Sequence, residues 1–334
     1  MDVLVTGAGG RIGTHLTRRL LASGHRVRAL VVAGDPRAEA VHDLGTHVVT
    51  GDLLAPESLL AATSGVDAVC HLAAAMTLHG SSDALLVDVN LRGTFNLLDA
   101  VRRTAPGIHR VVYVSSDAVY WRGQGAAEHL PVDESHPLLG GSVYGATKVG
   151  GEQLCRAFFA TYGIPCTIMR PTATADPAEL VDRSGAFARR WFLPVALDWY
   201  RRRGSLTAAE ASVAAALTPY DDGTERLYVL AAPDGASSTT MLTAAEDAAA
   251  GLAAMIEPAE AVGEAFNIGP AAPHVERDLV EHLGRRLGLQ VVQVRHPSAR
   301  PSWYVSSAKA TRLLGYAPTI DAFAMVDAAA GVLR

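Results

Sequence analysis

Three glycines at a spacing of three, Gly7, Gly10 and Gly13, follow a short apolar run and open a helical one. Val3, Leu4 and Val5 carry no charge and read as a strand buried on both faces. Beyond Gly13, Leu16, Leu20 and Leu21 recur at the spacing of one helix face. A strand, a glycine-rich turn and a helix in that order leave few folds open. The first glycine allows a tight turn, the second lets an anion approach a backbone without Cβ, and the third lets helix and strand pack closely. Free N–H groups at the helix start, around Arg11 and Ile12, then face the anion. The pattern predicts a nucleotide-binding β-α-β unit with Gly7, Gly10, Arg11, Ile12 and Gly13 around a pyrophosphate.

Strand and helix signals then alternate. Apolar runs predict strands at 26–32, His47–Thr50, 66–72, 109–115 and 164–169, with long helices at 83–103 and Val143–Tyr162. Such alternation predicts an α/β, doubly wound parallel sheet of the Rossmann type with right-handed crossovers. Ligands bind beyond the carboxyl ends of its strands, so residues just after strands are the ones to examine. After residue 169 the pattern loosens. Residues 170–180 read as a loop, 181–240 mix helical patches with turns, and 242–256, Ala265–Ile268 and 277–287 read as helix, strand and helix. The expected division is a dinucleotide-binding domain at 1–172. Residues 173–334 form mainly a smaller, substrate-binding lobe, with some segments returning to the sheet. Arg201, Arg202 and Arg203 could attract a phosphate, but a solvated helix end is the commoner outcome.

A hydrophobic content of 49% with 19% charged residues supports a sizeable core. A net charge of −5 and a pI near 6.2 argue against nucleic acid as the main partner. Cys70, Cys155 and Cys166 have no metal-ligand spacing, and no metal is expected; Cys70 and Cys166 sit in apolar runs and read as buried, inert thiols. A strand starting at residue 2 leaves no room for a signal peptide, and no apolar run reaches membrane-spanning length. A cytoplasmic protein, bound neither to membrane nor to nucleic acid, is the expectation.

Three polar residues stand where such a sheet places chemistry. Ser116 follows the fifth strand in Tyr-Val-Ser-Ser-Asp-Ala-Val-Tyr, and Tyr144 and Lys148 lie four apart at a helix start. Tyrosine alone, with a pKa of about 10, is a poor base near neutral pH. An ammonium one turn away favours the phenolate. A serine hydroxyl can hold the same substrate oxygen, and a nicotinamide carries the difficult chemistry. The Tyr-x-x-x-Lys spacing alone is common by chance. Its place in a longer series is not: the glycine turn, Asp52 after the third strand, His71-Leu72-Ala73-Ala74 after the fourth, Asn90, then Ser116.

With these pieces in order, the chain resembles the extended short-chain dehydrogenase/reductase family, in its nucleoside-diphosphate-sugar epimerase/dehydratase group. The matching segments are TGAGGRIG, GDLLAPESL, HLAAA, DVNLRGTFNLLDAV, YVSSDAVY, YGATK, Met169-Arg170-Pro171, GEAFNIGP and SSAKATRLLGYAP. The resemblance implies Ser116, Tyr144 and Lys148 as the catalytic triad and NAD as cofactor. It implies that Asp52, with Leu53 beside it, reads the adenine. Leu72, Ala73 and Ala74 would line the dinucleotide, and Pro171 and Thr172 would border the nicotinamide amide. Asn90 is similar to the family's active-site asparagine, which supports the lysine through water and main chain. The helices at 83–103 and Val143–Tyr162 could pair in a homodimer as in relatives, although packing on the sheet explains their apolar residues equally.

The chain also departs from that pattern. The acidic residue that meets the ribose 2′-hydroxyl in NAD-using relatives is Val31 here; Asp35 comes late and Arg37 could meet a 2′-phosphate, so NAD is favoured and NADP stays open. Asp117 resembles the general acid of 4,6-dehydratases, but Ala118 stands where a glutamate would take the second proton, which disfavours elimination. A solvated or helix-capping aspartate is the competing reading of Asp117. Arg170-Pro171 is not followed by the asparagine that helps bind a sugar nucleotide, Trp121 replaces a glycine, and only Arg295 or Arg300 is left to grip a diphosphate. The expected activity is a nucleotide-sugar epimerase working by transient oxidation of a secondary alcohol. The alternatives are a ketone reductase or alcohol dehydrogenase on a modified sugar or specialised metabolite and, least of all, a non-catalytic nucleotide sensor.

Overall fold

Val3, Leu4 and Val5 serve two cores at once, which is why the middle of the first strand carries no polar residue. Val3 and Val5 pack with Leu16, Leu20 and the distant Ala248, Ala249 and Leu252 on one face of a sheet. Leu4 packs with Leu97, Leu98, Val101 and Phe158 on the other. The protein is seen here in a computed structural model that describes residues 1–76, 81–120, 127–185 and 187–332.

The first half runs β1 (Asp2–Thr6), α1 (Arg11–Ala22), β2 (Arg26–Val31), α2 (Ala38–Asp43), β3 (His47–Thr50), α3 (Pro56–Thr63) and β4 (Ala68–His71). It continues with α4 (Asp83–Val87), a π-turn at Asp88–Arg92, α5 (Gly93–Thr104), β5 (Arg110–Val114), a 3₁₀ turn at Asp117–Tyr120, α6 (Val143–Tyr162) and β6 (Cys166–Pro171). The second half holds β7 (Thr174–Ala175), α7 (Ala188–Trp191), α8 (Leu193–Arg202), α9 (Ala208–Leu217), β8 (Leu227–Ala231), β9 (Thr239–Thr240), β10 (Thr243–Ala244) and α10 (Ala245–Ala253). It ends with β11 (Ala265–Ile268), β12 (His274–Val275), α11 (Glu276–Leu287), β13 (Val291–Arg295), α12 (Ala308–Leu314) and α13 (Ala322–Val332).

Seven strands form one parallel sheet in the order β3-β2-β1-β4-β5-β6-β11. The chain reverses direction across the sheet between β1 and β4, so a crevice opens beyond their carboxyl ends. The doubly wound α/β architecture expected from the sequence is therefore present. Residues of the second half re-enter it, β11 as the seventh strand and α10 against α1. The remaining segments build separate cores, one around Trp191, Phe192, Leu279 and Met325 and one around Leu197, Val213 and Tyr228.

Several local expectations need correction. Residues 170–180 are no plain loop, because β6 extends to Pro171, β7 follows, and Pro177–Leu180 forms a 3₁₀ turn with an Asp176/Glu179 capping box. The helix expected at 83–103 is interrupted by the π-turn, a widened turn that an apolar period does not reveal. The helix expected at 242–256 is shorter, since Thr243 and Ala244 pair with β7 before it begins. The parallel pair β8–β13 was not anticipated in 181–240 or beyond. Arg201, Arg202 and Arg203 end α8 and pair with Asp221, Asp198 and Glu210, as a solvated helix end would. All three cysteines are buried and unbridged, and no helix among the described residues is long and apolar enough to cross a membrane.

Candidate active site

The glycine turn meets each of its three demands in a separate way. Gly7 has φ +73°, and a Cβ there would stand 2.9 Å from the Ala73 nitrogen, so this turn presses on the segment after β4. A Cβ on Gly13 would lie 2.1 Å from the Gly7 carbonyl oxygen, which binds α1 tightly to the turn. At Gly10 the added atom would meet only that same oxygen, at 3.1 Å. Gly10 is the N-cap of α1, whose first turn has neither a side-chain cap nor an acidic residue. The leading N–H groups are thus left for an anion, and the cradle fits a pyrophosphate.

Arg11 keeps its backbone N–H at the start of α1. Its guanidinium is bonded to both oxygens of Glu179, and His15 one turn on meets Asp176 at 2.7 Å, so only the Arg11 backbone remains at the anion cradle. Ile12 is half-buried against the core. At the carboxyl end of β3, the Asp52 carboxylate accepts the Leu54 N–H at 2.8 Å, while Leu53 is buried and its carbonyl takes the Asn96 amide. Leu72, Ala73 and Ala74 form the half-buried wall after β4.

A buried hydrogen-bond chain, unseen in the sequence, orders that wall. Thr94 Oγ1 donates to the Asn90 carbonyl at 2.7 Å, so it accepts from His71 Nε2 at 3.1 Å. His71 Nδ1 then accepts from Thr6 Oγ1 at 2.8 Å, and Thr6 Oγ1 accepts the Ala73 N–H. These partners assign one neutral tautomer to His71. Burial, and secondarily the Lys148 charge, push its pKa down to about 3. Asn90, carried inward on the π-turn, bonds both the N–H and the carbonyl of Ala75 and also Thr147 Oγ1 at 3.1 Å. Asn90 therefore braces the wall and the residue before Lys148. The sequence signal was a histidine ending an apolar strand.

Ser116, Tyr144 and Lys148 do converge. Ser142 caps α6 by accepting the Gly145 N–H, which sets Tyr144 and Lys148 on its first two turns. Lys148 is buried, and its Nζ donates to the Val114 carbonyl at 2.8 Å. The ammonium lies 5.2 Å from the Tyr113 ring centre and 5.9 Å from that of Tyr144. Burial lowers the Lys148 pKa to about 8, against the opposing charge of Glu152 one turn further on. Burial raises the Tyr144 phenol to about 12, while its contact with the Ser116 hydroxyl pulls it back. Ser116 Oγ accepts the Ala118 N–H at 3.1 Å and donates to Asp117 at 3.2 Å. The other Asp117 oxygen accepts the Trp303 indole N–H at 3.1 Å. Burial pushes Asp117 up to about 6, against the hydrogen bonds from Trp303 and Ser116, and the residue opens the 3₁₀ turn at Asp117–Tyr120.

Behind these residues lies a second buried network. Glu152 takes Arg170 at 2.9 and 2.6 Å and the Ser115 hydroxyl at 2.7 Å, and Arg170 also reaches Tyr120, which donates to Asn267. It fixes α6 to the ends of β5, β6 and β11.

A cavity of about 490 Å³ opens beside Asp117, with Thr172, Trp303, Arg190 and Arg300 among its walls. Thr172 is tied to Thr243 by a 2.6 Å hydroxyl contact next to Pro171, the end of β6. Arg190 is held by Glu276 at 2.6 Å. Arg300 is exposed into the cavity, with its pKa lowered by the Arg190 charge and then by burial. Arg295, the other sequence candidate, is not in that wall and lies beside Gly235. Trp121 lies outside the described residues. Among the described residues no group of three or more His, Cys, Asp or Glu is placed to hold a metal.

The chain is similar to several known proteins. Residues 3–190 match the model of the NAD dependent epimerase/dehydratase family. The chain is 36% identical over 194 residues to 2-alkyl-3-oxoalkanoate reductase of Stenotrophomonas maltophilia, covering 57% of this chain and 56% of that one. It is 32% identical over 190 residues to UDP-glucose 4-epimerase of Mycolicibacterium smegmatis, covering 54% and 58%. The matched region is thus less than two thirds of either relative. A short-chain dehydrogenase/reductase superfamily protein from Agrobacterium tumefaciens, solved with NAD bound, superposes with TM-score 0.88 at 30% identity, covering 100% of this chain and 97% of that one.

Proposed function

Because this chain belongs to the NAD dependent epimerase/dehydratase family, we propose that it moves a hydride between bound NAD and a secondary alcohol of a nucleotide-linked sugar, as an epimerase. The observation that carries the reading is the convergence of Ser116, Tyr144 and Lys148 at the carboxyl end of β5, next to Asp117 in the cavity wall. When bound, the nicotinamide supplies the hydride acceptor. The cradle at Gly7, Gly10 and Gly13 holds the pyrophosphate, with Asp52 and Leu53 at the adenosine side and Leu72, Ala73, Ala74, Pro171 and Thr172 along the rest. Tyr144 takes the hydroxyl proton and Ser116 positions the oxygen that loses it. Lys148, anchored on Val114, places a positive charge behind the phenol and favours its ionised form. Asp117 accepts from Ser116 and from Trp303, so it serves to orient and to receive a substrate hydroxyl rather than to begin an elimination. Arg300 is the guanidinium that fits a diphosphate.

A one-way ketone reductase is the second reading. It is favoured by the stretch after Arg170-Pro171, Thr-Ala-Thr-Ala-Asp-Pro, which lacks the asparagine of sugar-nucleotide enzymes, and by the likeness to a reductase. The exposed apolar side chains Leu85, Val87, Phe95, Phe159 and Tyr162 on α4, α5 and α6 fit a homodimer across those helices. Unbridged thiols fit a reducing, cytoplasmic setting.

The deciding experiment is to denature the purified protein and identify any released dinucleotide by mass and absorbance. Recovery of NAD near one per chain supports an enzyme that recycles its hydride. Recovery of none, with turnover only on added dinucleotide, refutes epimerisation and leaves the reductase.

A further inference from the structure

Two carboxylates reach from the second half of the chain to the helix that opens the anion cradle. Beyond Pro171 at the end of β6, β7 pairs with β10, and the 3₁₀ turn at Pro177–Leu180 follows. Glu179 Oε2 accepts the Asp176 N–H at 2.8 Å, and the Glu179 N–H donates to the Asp176 carbonyl at 3.0 Å, which fixes the two residues relative to each other. Both side chains then meet one face of α1. Glu179 takes the Arg11 guanidinium on both oxygens, Nε on Oε2 and Nη2 on Oε1, each at 2.5 Å. One helical turn on, His15 Nε2 meets Asp176 Oδ1 at 2.7 Å. The Arg11 and Glu179 side chains are only 26% and 33% exposed, so this is a half-covered, bidentate contact and not a solvated surface pair. Leu180 at the end of the turn is fully buried in the core around Trp191 and Phe192, so the turn moves with that lobe.

In the sheet β4 and β5 lie between β6 and β1, and α1 starts just after β1. The stretch from Pro171 to Glu179 therefore runs from the end of β6 to the start of α1, past the crevice that opens beyond β1 and β4. We infer that the Arg11–Glu179 and His15–Asp176 pairs form a latch across the dinucleotide crevice, and that its opening sets how fast the cofactor enters and leaves. Both partners of each contact belong to the chain, so the latch hinders entry as much as exit. An unpaired Glu179 beside the start of α1 would repel a pyrophosphate; paired with Arg11, it holds the crossing segment down instead. The latch rests on the dinucleotide reading of the cleft and goes beyond it in naming the residues that govern exchange. Slow exchange suits an enzyme that keeps its dinucleotide between turnovers.

Stopped-flow fluorescence of NADH tests this on the purified chain. Mixing gives the association rate, and a chase of the loaded protein with excess NAD gives the dissociation rate. Glu179→Gln should raise both rates about tenfold and leave the dissociation constant within about threefold, because a tie of protein to protein slows both directions alike. Arg11→Gln should do the same, and the double variant should be no faster than either single one. Arg11→Lys keeps the charge but loses the fork, and its rates should fall between those of the parent and Arg11→Gln. Urea unfolding followed by circular dichroism identifies the variants that are folded. Electrostatics without a latch predicts the opposite sign, since removing a carboxylate beside an anion site slows dissociation and tightens binding. That result for Glu179→Gln, rates unmoved in folded variants, or single effects that simply multiply in the double variant would overturn the latch and leave the dinucleotide reading standing. Where Glu179→Gln does not fold, Arg11→Lys decides, and unchanged rates there overturn the latch. Failure of the unaltered chain to bind NADH overturns both.

Discussion

Substituting Gly13 and Gly10 separately should divide the work of the glycine turn into a part that holds the fold and a part that holds the ligand. In Gly13→Ala the new Cβ would start 2.1 Å from the Gly7 carbonyl oxygen and 2.9 Å from Ala8 Cα, both rigid backbone. An ordinary carbon–oxygen contact needs more than an ångström of further separation, so α1 must move off β1. That motion pulls Leu16 and Leu20 from a core in which both are essentially fully buried. Overpacking costs about 1–3 kcal/mol, and a clash of backbone with backbone belongs at or above the top of that range. Gly10→Val is different: its Cβ meets one atom at 3.1 Å, so the loss should be about 1 kcal/mol, that of a poor N-cap. The valine nevertheless fills the space in front of the free N–H groups. Urea unfolding followed by circular dichroism, with calorimetric titration of NAD, separates the two effects. Gly13→Ala should lose about 3 kcal/mol of stability, and Gly10→Val should stay near wild-type stability while losing measurable NAD binding. A Gly13→Ala protein as stable as the parent, or a Gly10→Val protein that binds NAD normally, would refute this account of the turn.

Tyr144→Phe should lower turnover by at least about a hundredfold, the usual contribution of a positioned acid/base. Its NAD affinity, read by calorimetry, should change by no more than about a few fold, because the ring stays in place. Burial raises Asp117 to about 6, so activity should climb as pH rises through that value and the carboxylate becomes free to accept from Ser116. Asp117→Asn should remove that limb from initial rates measured between about pH 5 and 8. The sign for stability is the reverse: the folded chain keeps a proton that the unfolded chain releases, so this group makes stability fall as pH rises from about 4 to 6. Arg170→Met leaves the Glu152 carboxylate buried without its partner and should cost about 3–5 kcal/mol in urea unfolding. A variant as stable as the parent would show that the pair adds little.

What could be read from the chain alone is what short-range spacing encodes. The glycine turn, the alternation that winds the sheet, and the one-turn interval between Tyr144 and Lys148 are all local. Their structural counterparts stand where the spacing put them. The π-turn escaped because widening one turn leaves the apolar stripes on either side of it intact. The β8–β13 pair escaped because 64 residues separate partners such as Leu227 and Val291, and each strand alone is a short apolar run. The tie from Arg11 to Glu179 escaped for a related reason. Position alone aims an N-terminal helix residue at the anion, and only the fold brings Glu179 within reach of its guanidinium.

The same contrast explains why the chemistry of the site is better defined than its substrate. Lys148 needs only its own helix and the carbonyl that ends β5 to be held behind the phenol. Asp117 is different, since what it does is decided by Trp303, 186 residues away, and by the hydroxyl beside it. An indole N–H can only donate, and Ser116 donates to the second oxygen, so the carboxylate is set up to accept. A general acid must give a proton, and these two donors oppose the protonated state that burial alone would favour. In the sequence Asp117 reads as a substrate-facing residue or as a solvated or helix-capping aspartate. The residues around it make it an acceptor in the wall of a cavity that Arg190 and Arg300 also line. A ligand that satisfies both ends presents a hydroxyl near the reacting carbon and an anionic group beyond it.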